Sequence, residues 1–171
     1  MQPTRYGGRV SESPSPRWLD ADERETWLAV ISLTIRLPAA LDRQLRRDAG
    51  IGHFEYQVLA GLSEAPDRTL RISELAEFAD GSLPRVSQVV SRLERRGWVR
   101  RGSDPTDGRY TLATLTDTGW DKVVATAPGH VEQARRLVID RFDPAERARL
   151  REFAVRITAA SADRVDGLPS G

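Results

Sequence analysis

Cysteine is absent from this 171-residue chain, and lysine nearly so: Lys122 is the only one. Without thiols there is no disulfide, no thiolate metal site and no thiol redox sensor. The lysine shortage reads as the codon bias of a GC-rich genome, because arginine supplies nearly all the positive charge. Histidine is scarce as well, with His53 and His130 alone. No acid stands at a ligand spacing from either, so no zinc site and no other cofactor is expected. No apolar run approaches the ~20 residues of a membrane span. The N-terminus lacks the apolar core of a signal peptide. A cytoplasmic protein without a membrane partner is the expectation. There is no G-x-S-x-G, no phosphate loop and no usefully spaced His–acid pair, so an enzyme is not expected. Apolar residues make up 39%, a low share for a self-contained globule, which suggests that apolar surface is shared with a second subunit.

What the chain does have is concentrated between Arg71 and Thr116. Ile72 to Ala79 reads as a short helix with Ile72, Leu75, Ala76 and Ala79 on one face. Asp80-Gly81 follows as a turn able to take positive φ. Ser82 is suited to cap the next helix and Pro84 to sit in its first turn. Val86, Val89, Val90 and Leu93 form the buried stripe of that helix, and Gly97 ends it. Two strand-like runs, Trp98 to Arg101 and Tyr110 to Leu115, are joined by Gly102 to Arg109. Helix, turn, helix and hairpin in this order describe a winged helix-turn-helix. One helix is placed for a major groove and the β-loop for the neighbouring minor groove.

The face opposite the stripe presents Arg85, Ser87, Gln88, Ser91, Arg92 and Arg95, with no acid before Glu94. A solvated helix usually mixes both signs to gain i,i+4 pairs. This one offers donors suited to base edges and phosphates, and the helix start at Ser82 adds backbone N–H groups. Six Arg and one Glu fall between Ser82 and Arg101 of a chain whose formal net charge is only +1. In the loop, Arg109 suits a narrow minor groove. Asp107 orients Arg109 by pairing with it, makes the turn, or does both.

Long amphipathic helices flank this centre. Asp20 with Glu23 forms a capping box that opens a helix carrying Trp27, Val30, Ile31, Thr34, Leu37, Leu41 and Leu45. Pro38 should kink it or break one hydrogen bond rather than end it, and it ends near Gly50. A second helix spans His53 to Ser63. Thr116 opens a helix that should bend at Pro128-Gly129 and end near Phe142. Asp143-Pro144-Ala145-Glu146 opens the last one. The organisation expected is thus 1–17 as a disordered tail, 18–50 as a dimerisation helix and 51–116 as the DNA-binding lobe. Residues 117–163 follow as C-terminal dimerisation helices and 164–171 as a frayed tail. The fold class is mainly α: a winged helix-turn-helix with a two-strand wing between N- and C-terminal dimerisation helices.

The run ISELAEFADGSLPRVSQVVSRLERRGWVRR, the loop DPTDGR and the returning strand YTLATLTDTGW resemble the MarR (multiple antibiotic resistance regulator) family. The resemblance extends over about Asp20 to Asp163. It implies a homodimer whose first and last helices interlock, and a pseudo-palindromic double-stranded DNA target. It further implies a small-molecule effector, often a phenolic acid, that weakens DNA binding. By position it assigns Arg85, Ser87 and Gln88 to the recognition helix, and Asp107 and Arg109 to the wing; Ser82 and Arg92 join them as DNA-binding candidates on the reading of the helix start and its donor face. Gly108 departs from the pattern, since many members carry a second arginine there. The absence of cysteine excludes the peroxide-sensing branch. His53 falls near the family's effector pocket, where it lines the pocket or merely caps a helix. Trp27 and Ile31 are either core residues or part of the pocket wall. A regulator, expected to be a repressor, is one reading. A winged-helix module that binds only protein is the other, and the donor-rich face of Arg85, Gln88 and Arg92 discriminates between them.

Overall fold

The computed structural model describes residues 16–162. The tail expectations for 1–15 and 163–171 lie outside the described residues. Two compact units divide the chain, Met1–Ile35 and Arg36–Gly171. Helix α1 (Ala21–Ala49) begins in the first and ends in the second, and it is continuous through Pro38. Its start is the capping box expected from sequence: the Asp20 amide donates to Glu23 (3.0 Å) and the Glu23 amide to Asp20 (2.9 Å). Within the first unit Trp18, Trp27, Leu28, Leu33 and Ile35 are all more than half exposed.

The second unit holds α2 (His53–Glu64), a 3-10 turn (Pro66–Arg68), β1 (Thr69–Arg71), α3 (Ile72–Phe78) and α4 (Leu83–Arg95). They are followed by β2 (Val99–Ser103), β3 (Thr111–Leu115), α5 (Asp117–Leu137), a second 3-10 turn (Ile139–Arg141) and α6 (Pro144–Ala162). Its core gathers Leu45, Ile51, Val58, Leu59, Leu62, Leu75, Val86, Val89, Val90, Leu93, Val99 and Ala113. The stripe of α4 is thus buried as its 3.6-residue period requires.

The structure departs from expectation in the wing and at the start of α4. The wing sheet has three strands in the order β1-β3-β2, all antiparallel. β1 is only three residues long, too short to show alternation, and it is added as an edge opposite Leu112 to Thr114 of β3. Ser82 occupies the cap position of α4, but its side chain makes no capping hydrogen bond. At the end of α3 the Asp80-Gly81 turn takes positive φ as expected, at Asp80 (φ 46). The Gly81 amide reaches back to Ala76 (2.9 Å) and the Asp80 amide to Glu77 (3.3 Å), the pattern that closes a helix around one left-handed residue. Gly81 has its own reason: a Cβ there would lie 2.6 Å from the ring of Phe54.

Helix α4 ends in the same way around Gly97 (φ 73), with Trp98 N–H to Leu93 C=O (3.0 Å) and Gly97 N–H to Glu94 C=O (2.9 Å). That closure turns the chain directly into β2. Thr116 caps α5 by accepting from the Gly119 amide (3.0 Å), and its hydroxyl also donates to Gly97 C=O (2.7 Å). The wing sheet is therefore tied to the end of α4 and to the start of α5. Helix α5 continues through Pro128 and stops at Leu137, earlier than Phe142, because a 3-10 turn at Ile139–Arg141 intervenes. Among the described residues no helix is long and apolar enough to cross a membrane.

Candidate nucleic-acid interface

Helix α4 has two flanks. With the stripe Val86, Val89, Val90 and Leu93 buried, Gln88, Arg95, Arg85 and Arg92 are exposed and Ser87 is half-buried. Ser87 lies toward the wing, whereas Arg85 and Arg92 lie toward α2, as their partners show.

On the wing side, Arg71, Ile72, Ser73, Leu83, Ser87, Arg101, Arg109, Tyr110 and Thr111 line a hollow of about 290 Å³. Two sequence-expected residues, Ser87 and Arg109, thus meet on one concave surface with Arg71 and Arg101, which the sequence reading did not single out. Each of these arginines is backed by a carboxylate. Arg109 pairs with Asp107 through Nη2–Oδ2 (2.7 Å) and Nε–Oδ1 (3.0 Å), so Asp107 does orient it. The Arg109 side chain nevertheless stays 85% exposed. The pairing with Arg109 lowers the pKa of Asp107 from its ordinary value. Arg101 pairs with Glu94 (2.8 Å). Arg71 pairs with Asp104 (2.7 Å) and lies 4.4 Å over the Tyr110 ring.

Asp104 is the anchor of the wing loop and is only 7% exposed. It accepts the Thr106 amide (2.8 Å) and hydroxyl (2.6 Å) on one oxygen and Arg71 Nε (2.8 Å) on the other. Those Thr106 hydrogen bonds, with Arg71 adding to them, hold its carboxyl at about 2. A carboxylate with Thr two residues on is a recognisable turn signal in the sequence. Its pairing with Arg71 leaves no local signal, because the two are joined only by the fold.

On the α2 side a larger hollow of about 770 Å³ is lined by residues of α1, α2 and α4, with Pro38, Asp42, Arg46, His53, Glu55 and Arg85 among them. The Arg85 guanidinium lies 3.8 Å over the Phe54 ring. Arg92 pairs with Glu55 (3.2 Å), whose second oxygen accepts the Gly52 amide (2.9 Å) at the start of α2. Arg46 pairs with Asp42, which also accepts the His53 amide (2.9 Å). His53 therefore follows the cap, which is Gly52. Its ring lies 5.8 Å from that of His130, which in turn lies 4.5 Å from Tyr56. Burial lowers the pKa of both histidines, so both are neutral at neutral pH. Trp27, 53% exposed, and Ile31, half-buried, belong to the first unit and are described there alone. Among the described residues no group of three potential metal ligands exists.

Residues 50–109 match the model of the MarR family. The chain resembles the crystal structure of Sco3205, a MarR family transcriptional regulator from Streptomyces coelicolor in complex with DNA. It is 45% identical, with 85% of this chain and 91% of that one covered and a TM-score of 0.82. It also resembles AbsC, a MarR family transcriptional regulator from the same organism, at 29% identity over 87% of this chain and 100% of that one, with a TM-score of 0.83. Among curated proteins, YdcH of Bacillus subtilis, an HTH-type transcriptional regulator, is 38% identical over 64 residues. That match takes in 37% of this chain and 44% of YdcH, less than half the length of that relative.

Proposed function

The chain belongs to the MarR family of DNA-binding transcriptional regulators, and we propose that it acts as a homodimeric repressor. In this reading it sits on a pseudo-palindromic operator and is released by a small aromatic or anionic ligand. The observation that carries the DNA part is the gathering of Arg71, Arg101 and Arg109 with Ser87 in one hollow beside α4, each guanidinium oriented by an acid behind it. Oriented donors on a helix and an adjoining β-loop suit base edges in one groove and phosphates or the minor groove beside it. A second chain is the natural cover for the exposed apolar side chains of α5 and α6, with Val124, Val131, Phe153, Val155 and Ile157 all more than half exposed. The α2-side hollow, which His53 lines, is the ligand site in this reading; Trp27 and Ile31, in the first unit, are kept as separate candidates for ligand contact. A ligand that binds the free dimer better than the operator complex lowers operator affinity by the same factor.

Light scattering at micromolar concentration should give twice the chain mass. Selection from random duplexes should return two half-sites about one helical turn apart. On that operator, Arg85→Ala should cost ~1–3 kcal/mol and relax preference at one base position. Arg109→Ala should weaken binding most where the flank is A·T-rich. Wild-type binding by both variants would reject the placement of the reading surfaces. Calorimetric titration of phenolic acids into the free dimer and into the operator complex tests release, and equal affinity in both would reject it.

A further inference from the structure

Leu83 is 54% exposed on a helix whose apolar stripe is otherwise almost wholly buried. Val86, Val89, Val90 and Leu93 are at most 2% exposed, and Leu83 stands three residues before Val86, where the same stripe would continue. The core stops one turn short of it. A lone exposed leucine is ordinary on a protein surface. This one is set apart by its place. It is the first residue of α4, and it lines the wing-side hollow together with Ser87, one turn further on, and with Arg101 and Arg109.

Physical chemistry narrows what such a side chain can meet there. In helix-turn-helix docking, the N-terminal residues of the second helix contact base edges. Phosphate oxygens and most atoms on those edges are hydrogen-bonding groups, and a leucine pressed on them would strip their water without replacing it. The apolar group that the major groove does offer is the C5-methyl of thymine. The start of α4 is also less equipped for a phosphate than most helix starts, because Pro84 in its first turn has no N–H to give. The cations of the hollow that suit phosphate, Arg101 and Arg109, stand on β2 and in the wing loop rather than on α4. The hollow is thus divided by element, with charge on the wing and an apolar side chain on the helix.

We propose that Leu83 reads thymine through its 5-methyl group, so that one base pair of each half-site is recognised by apolar contact rather than by a hydrogen bond. This rests on the DNA-binding reading above and deepens it by naming what the first residue of α4 recognises. The contact is to a methyl group and not to a hydrogen-bonding pattern. A 5-methylcytosine at the same position therefore presents Leu83 with the same group.

The test uses the full-length protein and the operator that selection from random duplexes returns. Each thymine of one half-site is replaced in turn by deoxyuridine, which deletes the methyl and leaves the hydrogen-bonding edge unchanged. At one position the wild type should bind about fourfold more weakly, the cost of one apolar carbon left out of contact. Leu83→Ala should bind the thymine and deoxyuridine duplexes alike at that position and keep any sensitivity elsewhere. Leu83→Met, still apolar and of similar volume, should keep most of the sensitivity. Placing cytosine and then 5-methylcytosine at the position gives a second readout: methylation should strengthen wild-type binding about fourfold and leave Leu83→Ala unmoved. A thermal melt of Leu83→Ala matching the wild type confirms folding, as expected of an exposed side chain. If no deoxyuridine weakens the wild type, the methyl contact is overturned and the DNA-binding reading stands. The same holds if Leu83→Ala keeps the wild-type ratio between the two duplexes at every position. If selection returns no preferred sequence, both fall.

Discussion

The two flanks of α4 solve the same problem differently. Toward the wing, the three arginines of the hollow are each backed by a carboxylate: Asp104 behind Arg71, Glu94 behind Arg101 and Asp107 behind Arg109. Toward α2, Arg92 is backed by Glu55, but Arg85 rests on the Phe54 ring. An acid behind an arginine orients it and also cancels its field, which lowers attraction to any phosphate at all. A ring orients without cancelling. The wing hollow is therefore built for placement, whereas in the α2-side hollow Arg85 is without a carboxylate partner among the described residues. Removing the acids or the ring one at a time should separate orientation from charge.

The largest effect is expected from Asp104→Ala. It strips the wing loop of the Thr106 turn and of the Arg71 pair together. Operator affinity should fall about tenfold to a hundredfold, in line with the ~1–3 kcal/mol of a lost reading contact. The sharper measurement is the cycle with Arg109→Ala. If Asp104 acts by placing the wing, Arg109→Ala costs almost nothing further in the Asp104→Ala background, because coupled residues are not additive. Additive losses would break the idea that placement is what this flank provides.

Acid should separate the two flanks by pH. His53 and His130 have pKa values lowered by burial from the ordinary 6.5. The folded state thus binds their protons less readily than the unfolded chain does. Their contribution to stability is fully present above about 6.5 and is lost as pH falls below that through the folded values. Asp104, held at about 2 against an ordinary 3.8, keeps its contribution above about 4 and loses it as pH falls through 2. The thermal midpoint should therefore fall in two stages. His130→Phe should shrink the upper stage, and Asp104→Asn the lower one, which Asp42, Asp48 and Asp107 share because their pKa values are lowered too. A single decline, unmoved by either substitution, would show that neither group titrates differently on folding.

Much of this was legible in the sequence, for reasons that also mark where legibility ended. The buried stripe of α4, the capping boxes at Asp20 and Asp143 and the left-handed Gly97 are all local. Each depends on residues within one or two turns, so spacing alone reveals it. The pairing of Asp107 with Arg109 is local too. β1 was missed because three residues show no period, and it becomes a strand only when β3 pairs with it. Gly81 has no room for a side chain beside Phe54, a constraint that comes from another helix. Arg71 with Asp104, Arg92 with Glu55 and Arg85 with Phe54 are distant in the chain, and no pattern of residue types links them. The sequence located the donors, while the fold decided which of them are cancelled and which are left open.

The smallest effect is the most direct probe of that distinction. Glu55 holds Arg92 with one oxygen and the Gly52 amide with the other, and its side chain is 14% exposed. Glu55→Gln keeps an oxygen for the amide and removes the negative charge. The cap survives, while Arg92 loses its counter-charge and is released to phosphate. A partly exposed ion pair is worth roughly 0–1 kcal/mol, so the fold should be nearly as stable as before. Binding to a mixed-sequence duplex at low salt should strengthen by about two- to fivefold, within that same range. The salt slope should steepen by about 0.9 for each additional phosphate that Arg92 neutralises. Preference for the operator over mixed sequence should fall, because binding to phosphates adds affinity without reading bases. Weaker binding to both duplexes, with an unchanged slope, would mean that Glu55 positions Arg92 for DNA rather than restraining it. Arg92 would then follow the same logic as the wing arginines, and Arg85 would not.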